Sequence, residues 1–265
     1  MYSVNGIPLD NPTYGWKFRG PSKPISEIIR EVLALRVPGR DGVQTLPGTT
    51  APVTLRLMVQ TPKANLETLY SLLLSPQPTL SVAAAPSRTV EFEFLSSSYE
   101  GYGAGESIID LTVLIRLNGV YWRSAAEVIS PVVTIANPTQ FVDVLSGMSA
   151  PVDDALIWLG GPFGSRFEIT DSSGAWFSCE AAGGNTGGVL FNSSTGQAFQ
   201  TTAASPWVPL DELTPWVDRS PGPGFRIAPY LIGGNPSTRV GRLRVVTTSQ
   251  TGITFRTRAR GAYVV

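Results

Sequence analysis

From Ile108 to Leu117 an apolar residue stands at every second position: Ile109, Leu111, Val113, Ile115 and Leu117. A period of two marks a strand with one buried face. The same pattern fills much of the chain. Val53, Leu55, Leu57 and Val59 alternate with Thr54, Arg56 and Met58, and Thr79–Ala84 and Thr89–Leu95 also read as strands. A chain written this way folds mainly as antiparallel sheet. Val4-Asn5-Gly6-Ile7 adds the strongest short hairpin signal, Asn-Gly between β-formers.

One segment carries a clear helical period. Leu66, Leu69, Tyr70 and Leu73 fall on one face, after Thr61-Pro62 and before Ser75-Pro76. Thr61 is expected as the cap and Pro62 in the first turn. Ile25–Val37 fits both periods: Ile25, Ile28, Ile29, Val32 and Leu33 have helical spacing, whereas Ile29, Leu33, Leu35 and Val37 fit a strand ended by Pro38-Gly39. The first half therefore reads as strands with one helix covering a sheet, a β-sandwich or barrel-like domain.

Asn118–Pro131 reads as the boundary, which gives domains at 1–125 and 126–265. Beyond it nearly everything is β. The expected strands are Val132–Ala136, Ala155–Gly160, Arg166–Thr170, Ala175–Glu180, Gly188–Phe191, Ala198–Ala203, Phe225–Leu231, Arg239–Thr247 and Ile253–Arg260. Turns such as Asp171-Ser172-Ser173-Gly174 separate them. Short strands at this spacing, with no helices between, point to an antiparallel sandwich.

Composition narrows the function. There is no histidine and a single cysteine, Cys179. A Ser-His-Asp triad cannot be built, and no internal disulfide can form. Asp153-Asp154 and Asp211-Glu212 are isolated acid pairs without the spacing of a calcium loop. Gly160-Gly161-Pro162 and Gly183-Gly184 are turns, since no Gly-Lys-Ser/Thr follows. Glu91 and Glu93 share a strand face about 7 Å apart, a spacing a glycosidase could use. They read more simply as solvent-facing acids. The expectation is a chain that is not an enzyme and needs no cofactor or metal. No apolar run reaches the roughly 18 residues of a membrane span, and the N-terminus lacks a signal-peptide layout. Charged residues make up only 15%, against roughly 25% on average. So little charge fits a surface covered by partners, hence an oligomer.

Charge is unevenly placed. Residues 126–218 hold ten acids and one base, Arg166, whereas 219–265 hold eight arginines and no acid. Arg242 and Arg244 share one strand face, and Arg256, Arg258 and Arg260 share another. Leu243, Val245, Phe255 and Ala259 between them are expected in the core. If Thr248–Gly252 is a hairpin turn, the two rows form one basic surface. Such a row needs acidic company, from the 126–218 stretch or from another subunit. No aromatic interleaving supports specific nucleic-acid binding. Trp158 and Trp176 sit inside strands and read as core or sheet-face residues. Trp207 and Trp216 sit in proline-rich loops and are the candidate glycan or protein contacts.

In order and spacing, these features resemble the distal tail (Dit-type) minor tail proteins of long-tailed bacteriophages, especially those infecting actinobacteria. The N-terminal resemblance rests on Val4-Asn5-Gly6-Ile7-Pro8-Leu9-Asp10, Val37-Pro38-Gly39-Arg40-Asp41-Gly42-Val43 and the strand–helix–strand run from Val53 to Val82. The C-terminal one rests on Asp153–Leu159, Thr170–Trp176, Pro221-Gly222-Pro223-Gly224-Phe225 and the closing arginine-rich strands. The resemblance implies an N-terminal domain that assembles into a ring, usually a hexamer, joining the tail tube protein to the tail-tip hub protein. It implies a galectin-like or carbohydrate-module-like C-terminal sandwich outside the ring. That domain would support receptor-binding protein or touch host-surface glycan. The chain would then sit at the tail tip of the virion, assembled in the host cytoplasm. Ile25–Val37 would be extended and reach toward the neighbouring subunit, which makes Arg40, Asp41 and Gly42 a candidate inter-subunit contact. The main alternative is a carbohydrate-binding module for cell-wall glycan, acting through the second domain.

Overall fold

Asn5 and Gly6 both take positive φ, 49° and 79°, the geometry of the tightest hairpin turn. They pair Val4 with Ile7 and Ser3 with Pro8. The structure is a computed structural model. It describes residues 1–21, 29–31, 34–35, 44–45, 49–51, 53–100, 105, 107–161, 166–180, 187–221, 224–248 and 252–264. The chain divides into two compact units, Met1–Arg123 with Val264–Val265, and Ser124–Tyr263.

The first unit contains β1 (Tyr2–Val4), β2 (Ile7–Pro8), β3 (Lys17–Pro21), β4 (Ile29–Glu31), β5 (Ala34–Leu35), β6 (Gln44–Thr45), β7 (Thr49–Ala51), β8 (Thr54–Pro62), α1 (Leu66–Leu73), β9 (Thr79–Val82), β10 (Ala85–Glu100) and β11 (Ile108–Leu117). Its main sheet runs β2-β1-β9-β10-β11-β8-β3. The alternation seen in the sequence sets its buried face: Leu55, Leu57, Ile109, Val113 and Ile115 are all at most 1% exposed. The 16-residue β10 outruns any sequence pattern, and a bulge between Phe94 and Ser96 lets it stay paired with β11.

The helix begins later than Thr61-Pro62 promises. Those two residues finish β8, a single 3-10 turn (Lys63–Asn65) follows, and α1 starts at Leu66 with no side-chain cap. Thr61 is fully buried and its hydroxyl donates to the Pro62 carbonyl (3.1 Å), so it serves the sheet. The predicted helix face holds: Leu69 and Leu73 are buried. Tyr70 meets Phe94 edge-on (6.3 Å) and shares a hydrogen bond with the Ser97 hydroxyl (2.7 Å), so the helix covers β10.

Trp122–Ser124 (β12) spans the boundary between the units. The second unit contains β13 (Val128–Ile129), β14 (Val133–Ile135), β15 (Thr139–Val144), β16 (Leu156–Gly160), β17 (Arg166–Asp171), β18 (Trp176–Glu180), β19 (Gly188–Asn192), β20 (Gln197–Thr201), β21 (Val217–Arg219), β22 (Pro229–Leu231), β23 (Arg239–Thr247), β24 (Ile253–Ala259) and β25 (Ala262–Tyr263). Two antiparallel sheets result. One is ordered β15-β23-β17-β18-β21, with β22 also on β23. The other is ordered β13-β24-β16-β19-β20, with β14 also on β24. Phe177 of the first sheet stacks on Phe191 of the second, ring centres 3.7 Å apart, and Phe225 meets both edge-on. That aromatic cluster is the centre of an antiparallel β-sandwich.

Candidate interaction surfaces

Two nested strand pairs stand apart from the first unit's main sheet. β4 pairs with β7 through Ile29↔Ala51, Arg30↔Thr50 and Glu31↔Thr49, and β5 pairs with β6 through Ala34↔Thr45 and Leu35↔Gln44. Nested antiparallel pairing is the topology of one hairpin. Each pair is its own two-stranded sheet among the described residues. The ambiguous stretch is thus extended at Ile29–Glu31 and Ala34–Leu35. Arg40, Asp41 and Gly42 lie outside the described residues.

The arginine rows separate. β23 and β24 do not pair; they belong to the two different sheets of the sandwich. Leu243, Val245, Phe255 and Ala259 are buried at 0–2% exposure, so Arg242 and Arg244 line one outer face while Arg256 and Arg258 line the other. The single basic surface expected from the sequence is not formed, because β23 and β24 lie in different sheets and so do not pair as a hairpin.

The acidic company comes from within the subunit. Arg242 forks Asp143, Nε to Oδ1 at 2.6 Å and Nη2 to Oδ2 at 2.7 Å, and that hydrogen bonding holds its guanidinium firmly charged. Arg244 Nη2 donates to Glu168 Oε1 (3.2 Å), and Arg258 Nε donates to Glu127 Oε2 (2.7 Å). All three acids lie in the base-poor 126–218 stretch. Arg260 Nε donates to the Ser124 carbonyl (2.6 Å). Arg256 stands over the Trp207 ring at 5.7 Å, a cation–π contact.

The tryptophans divide by environment. Trp158 is buried although it faces away from the aromatic cluster: its neighbours Ile157 and Leu159 point inward. Its indole N–H donates to Thr201 (2.9 Å) and its ring lies against Gly160 and Gly188, which are register partners. Trp176 and Trp207 are half-buried, and Trp216 is 52% exposed. The segment carrying Trp207 folds back along β20, where Gln200 and Asp211 share a backbone hydrogen bond (2.7 Å). Glu91 and Glu93 are exposed, and Glu93 pairs with Arg116 across the strand. Among the described residues no three His, Cys, Asp or Glu side chains gather as a metal site requires. No described helix is long and apolar enough to cross a membrane.

Sequence reasoning passed over one face. β15 is absent from the expected strands, yet it places Phe141 on the sandwich surface at 64% exposure, opposite Arg244. Phe141, Thr170, Ser172, Tyr230, Arg242 and Arg244 line an open cleft of about 400 Å³. The Arg242 guanidinium lies 4.2 Å over the Tyr230 ring. The one available signal was the alternation of Val142 and Val144, masked because Phe141 beside them is apolar too.

No family model matches the sequence, and no curated protein is significantly similar to it. Solved structures do match. The Dit protein of phage SPP1, described as a paradigm of the hub adsorption apparatus in phages infecting Gram-positive bacteria, aligns with a TM-score of 0.58 at 14% identity, over 98% of this chain and 99% of that one. Chains of the phage P2 baseplate in its activated conformation align more loosely: 0.38 at 8% identity with calcium, over 92% of this chain and 90% of that one, and 0.40 at 9% with strontium, over 97% of each. From end to end, the chain has the mainly β fold of the SPP1 distal tail protein.

Proposed function

We propose that this chain is a structural component of a phage tail tip, a distal tail protein whose copies close into a ring. The self-paired hairpin between Ile29 and Ala51 carries this reading. Among the described residues each pair stands as its own two-stranded sheet; such a ribbon is marginal on its own in water and can accept a further strand at its edge. A neighbouring copy supplies the cover, and a closed ring leaves no copy's ribbon bare. Arg40, Asp41 and Gly42 fall in sequence between β5 and β6 and are the proposed contact to the next subunit. The fold shared with a hub adsorption protein supports the same reading.

In this role the chain acts through shape and alters no bond. The ring, a hexamer by the resemblance, joins the tail tube protein to the tail-tip hub protein in the virion, after assembly in the host cytoplasm. The second unit supports the adhesion components. The test is to replace residues 29–51 with a short Gly-Ser linker. The variant is expected to run as a monomer while its far-UV spectrum keeps the β signature of the parent. An oligomer of unchanged size would refute the hairpin's role.

A further inference from the structure

The cleft on the outer face of the β15-β23-β17 layer has the makings of a recognition site. Register puts Phe141 and Thr170 on either side of Arg244, and Asp143 beside Arg242, all on the side away from buried Leu243 and Val245. The two arginines and the two hydroxyls there are held by partners. Arg242 is clamped between the Asp143 fork and the Tyr230 ring, and Arg244 is held by Glu168. Thr170 donates to Glu168 (3.2 Å) and Ser172 donates to the Ala228 carbonyl (3.1 Å). Both hydroxyl oxygens therefore remain as acceptors, and the Asp143 fork uses only part of the Arg242 guanidinium's five N–H donors. Phe141, by contrast, presents an open apolar ring.

Charge decides the ligand class. Two guanidinium groups meet three carboxylates, Asp143, Glu168 and Asp171. Asp171 is already saturated by the Ser173 and Ala175 amides at 2.9 Å each and by the Ala228 amide at 3.2 Å. An anionic ligand, even one that reached an unused N–H donor, would face the repulsion of these resident carboxylates. A neutral polyol avoids that cost, because each hydroxyl both accepts from an arginine and donates to Thr170 or Ser172. The apolar face of a pyranose ring, with its positively polarised C–H groups, matches the negative face of the phenyl ring. The volume lies within the range of small-ligand clefts, about 300–1,000 Å³.

We propose that this cleft binds a neutral saccharide, with Phe141 as the stacking platform and Arg242, Arg244, Thr170 and Ser172 reading the hydroxyls. The site stands apart from Trp207, which belongs to the other sheet's outer face, and it does not depend on ring formation.

Saturation-transfer NMR on the full chain tests it, with the methyl glycosides of glucose, galactose, rhamnose and N-acetylglucosamine as probes. Glucuronate, glucose 1-phosphate and an oligoglutamate peptide serve as anionic counterparts. Transfer to the ring protons of at least one neutral glycoside is expected. It should be lost in Phe141→Ala, kept in Phe141→Tyr and unaffected by Trp207→Ala. Arg244→Ala should weaken binding about tenfold or more, equivalent to about 1.4 kcal/mol. Because Phe141 is mostly exposed, its replacement leaves the fold intact, which circular dichroism verifies. No transfer to any neutral glycoside overturns the proposal. So does transfer that survives Phe141→Ala, or a preference for the anionic probes.

Discussion

The indole of Trp158 lies so close over Gly160 that a Cβ at position 160 would fall 2.0 Å from the ring carbon Cη2. A Cβ on Gly188, the register partner, would come within 2.6 Å of the indole nitrogen. Trp158 cannot swing away without losing its hydrogen bond to Thr201. Two adjacent glycines thus make a flat seat for a buried tryptophan on the outer side of the sheet.

Gly160→Ala is therefore expected to destabilise the second unit by about 1–3 kcal/mol, the usual cost of overpacking a rigid buried site. Chemical denaturation followed by tryptophan fluorescence measures it. A change below about 0.5 kcal/mol, typical of unconstrained surface sites, would show that the seat is not confining.

Cys179 is 1% exposed, and burial, with Glu180 adding to it, pushes its thiol up to about 11. At pH 8 only about one molecule in a thousand carries a thiolate. Iodoacetamide should leave the native chain unmodified and label it once the second unit unfolds. The same shift bears on stability. The unfolded chain releases this proton first, so the thiol's contribution is complete below pH 9.0, the group's ordinary value. It is lost as the pH rises toward about 11. Denaturation midpoints should fall across that window, and Cys179→Ser should flatten the fall.

Eight arginines in the last 47 residues invite the expectation of polyanion binding. The pairing of Arg242, Arg244 and Arg258 with Asp143, Glu168 and Glu127 argues against it. The chain should elute from heparin below about 0.15 M salt, where screening already reaches over about 8 Å. Neutralising two of the partners, Asp143→Asn with Glu168→Gln, should move elution to higher salt. It should cost at most about 1 kcal/mol of stability per pair, because these are partly exposed ion pairs. Strong retention of the unaltered chain would mean that the arginines face outward unpaired.

What the sequence made legible follows from physics that is local in the chain. The period of two at Ile109–Leu117 and Arg239–Thr247 gave those strands within a residue of their ends, because one face is buried along their whole length. Asn5-Gly6 fixed its hairpin because so few residues accept two successive positive φ angles. Thr61-Pro62 misled because Thr and Pro suit a strand end as well as a helix start, and the depth of burial of Thr61 chose between them. The relation of β23 to β24 was not legible. A short connection reads as a hairpin from sequence, and only the pairing of each strand with distant partners puts the two in different sheets. The Phe141 cleft was hidden for a related reason: Phe141, Thr170, Tyr230 and Arg244 come from four strands far apart in sequence.

Native mass spectrometry of the intact chain over a dilution series tests self-association most directly. A closed ring predicts one discrete multiple of the 28.3 kDa subunit that does not grow with concentration. A chain that stays single at every concentration, or that adds copies without limit, would contradict it.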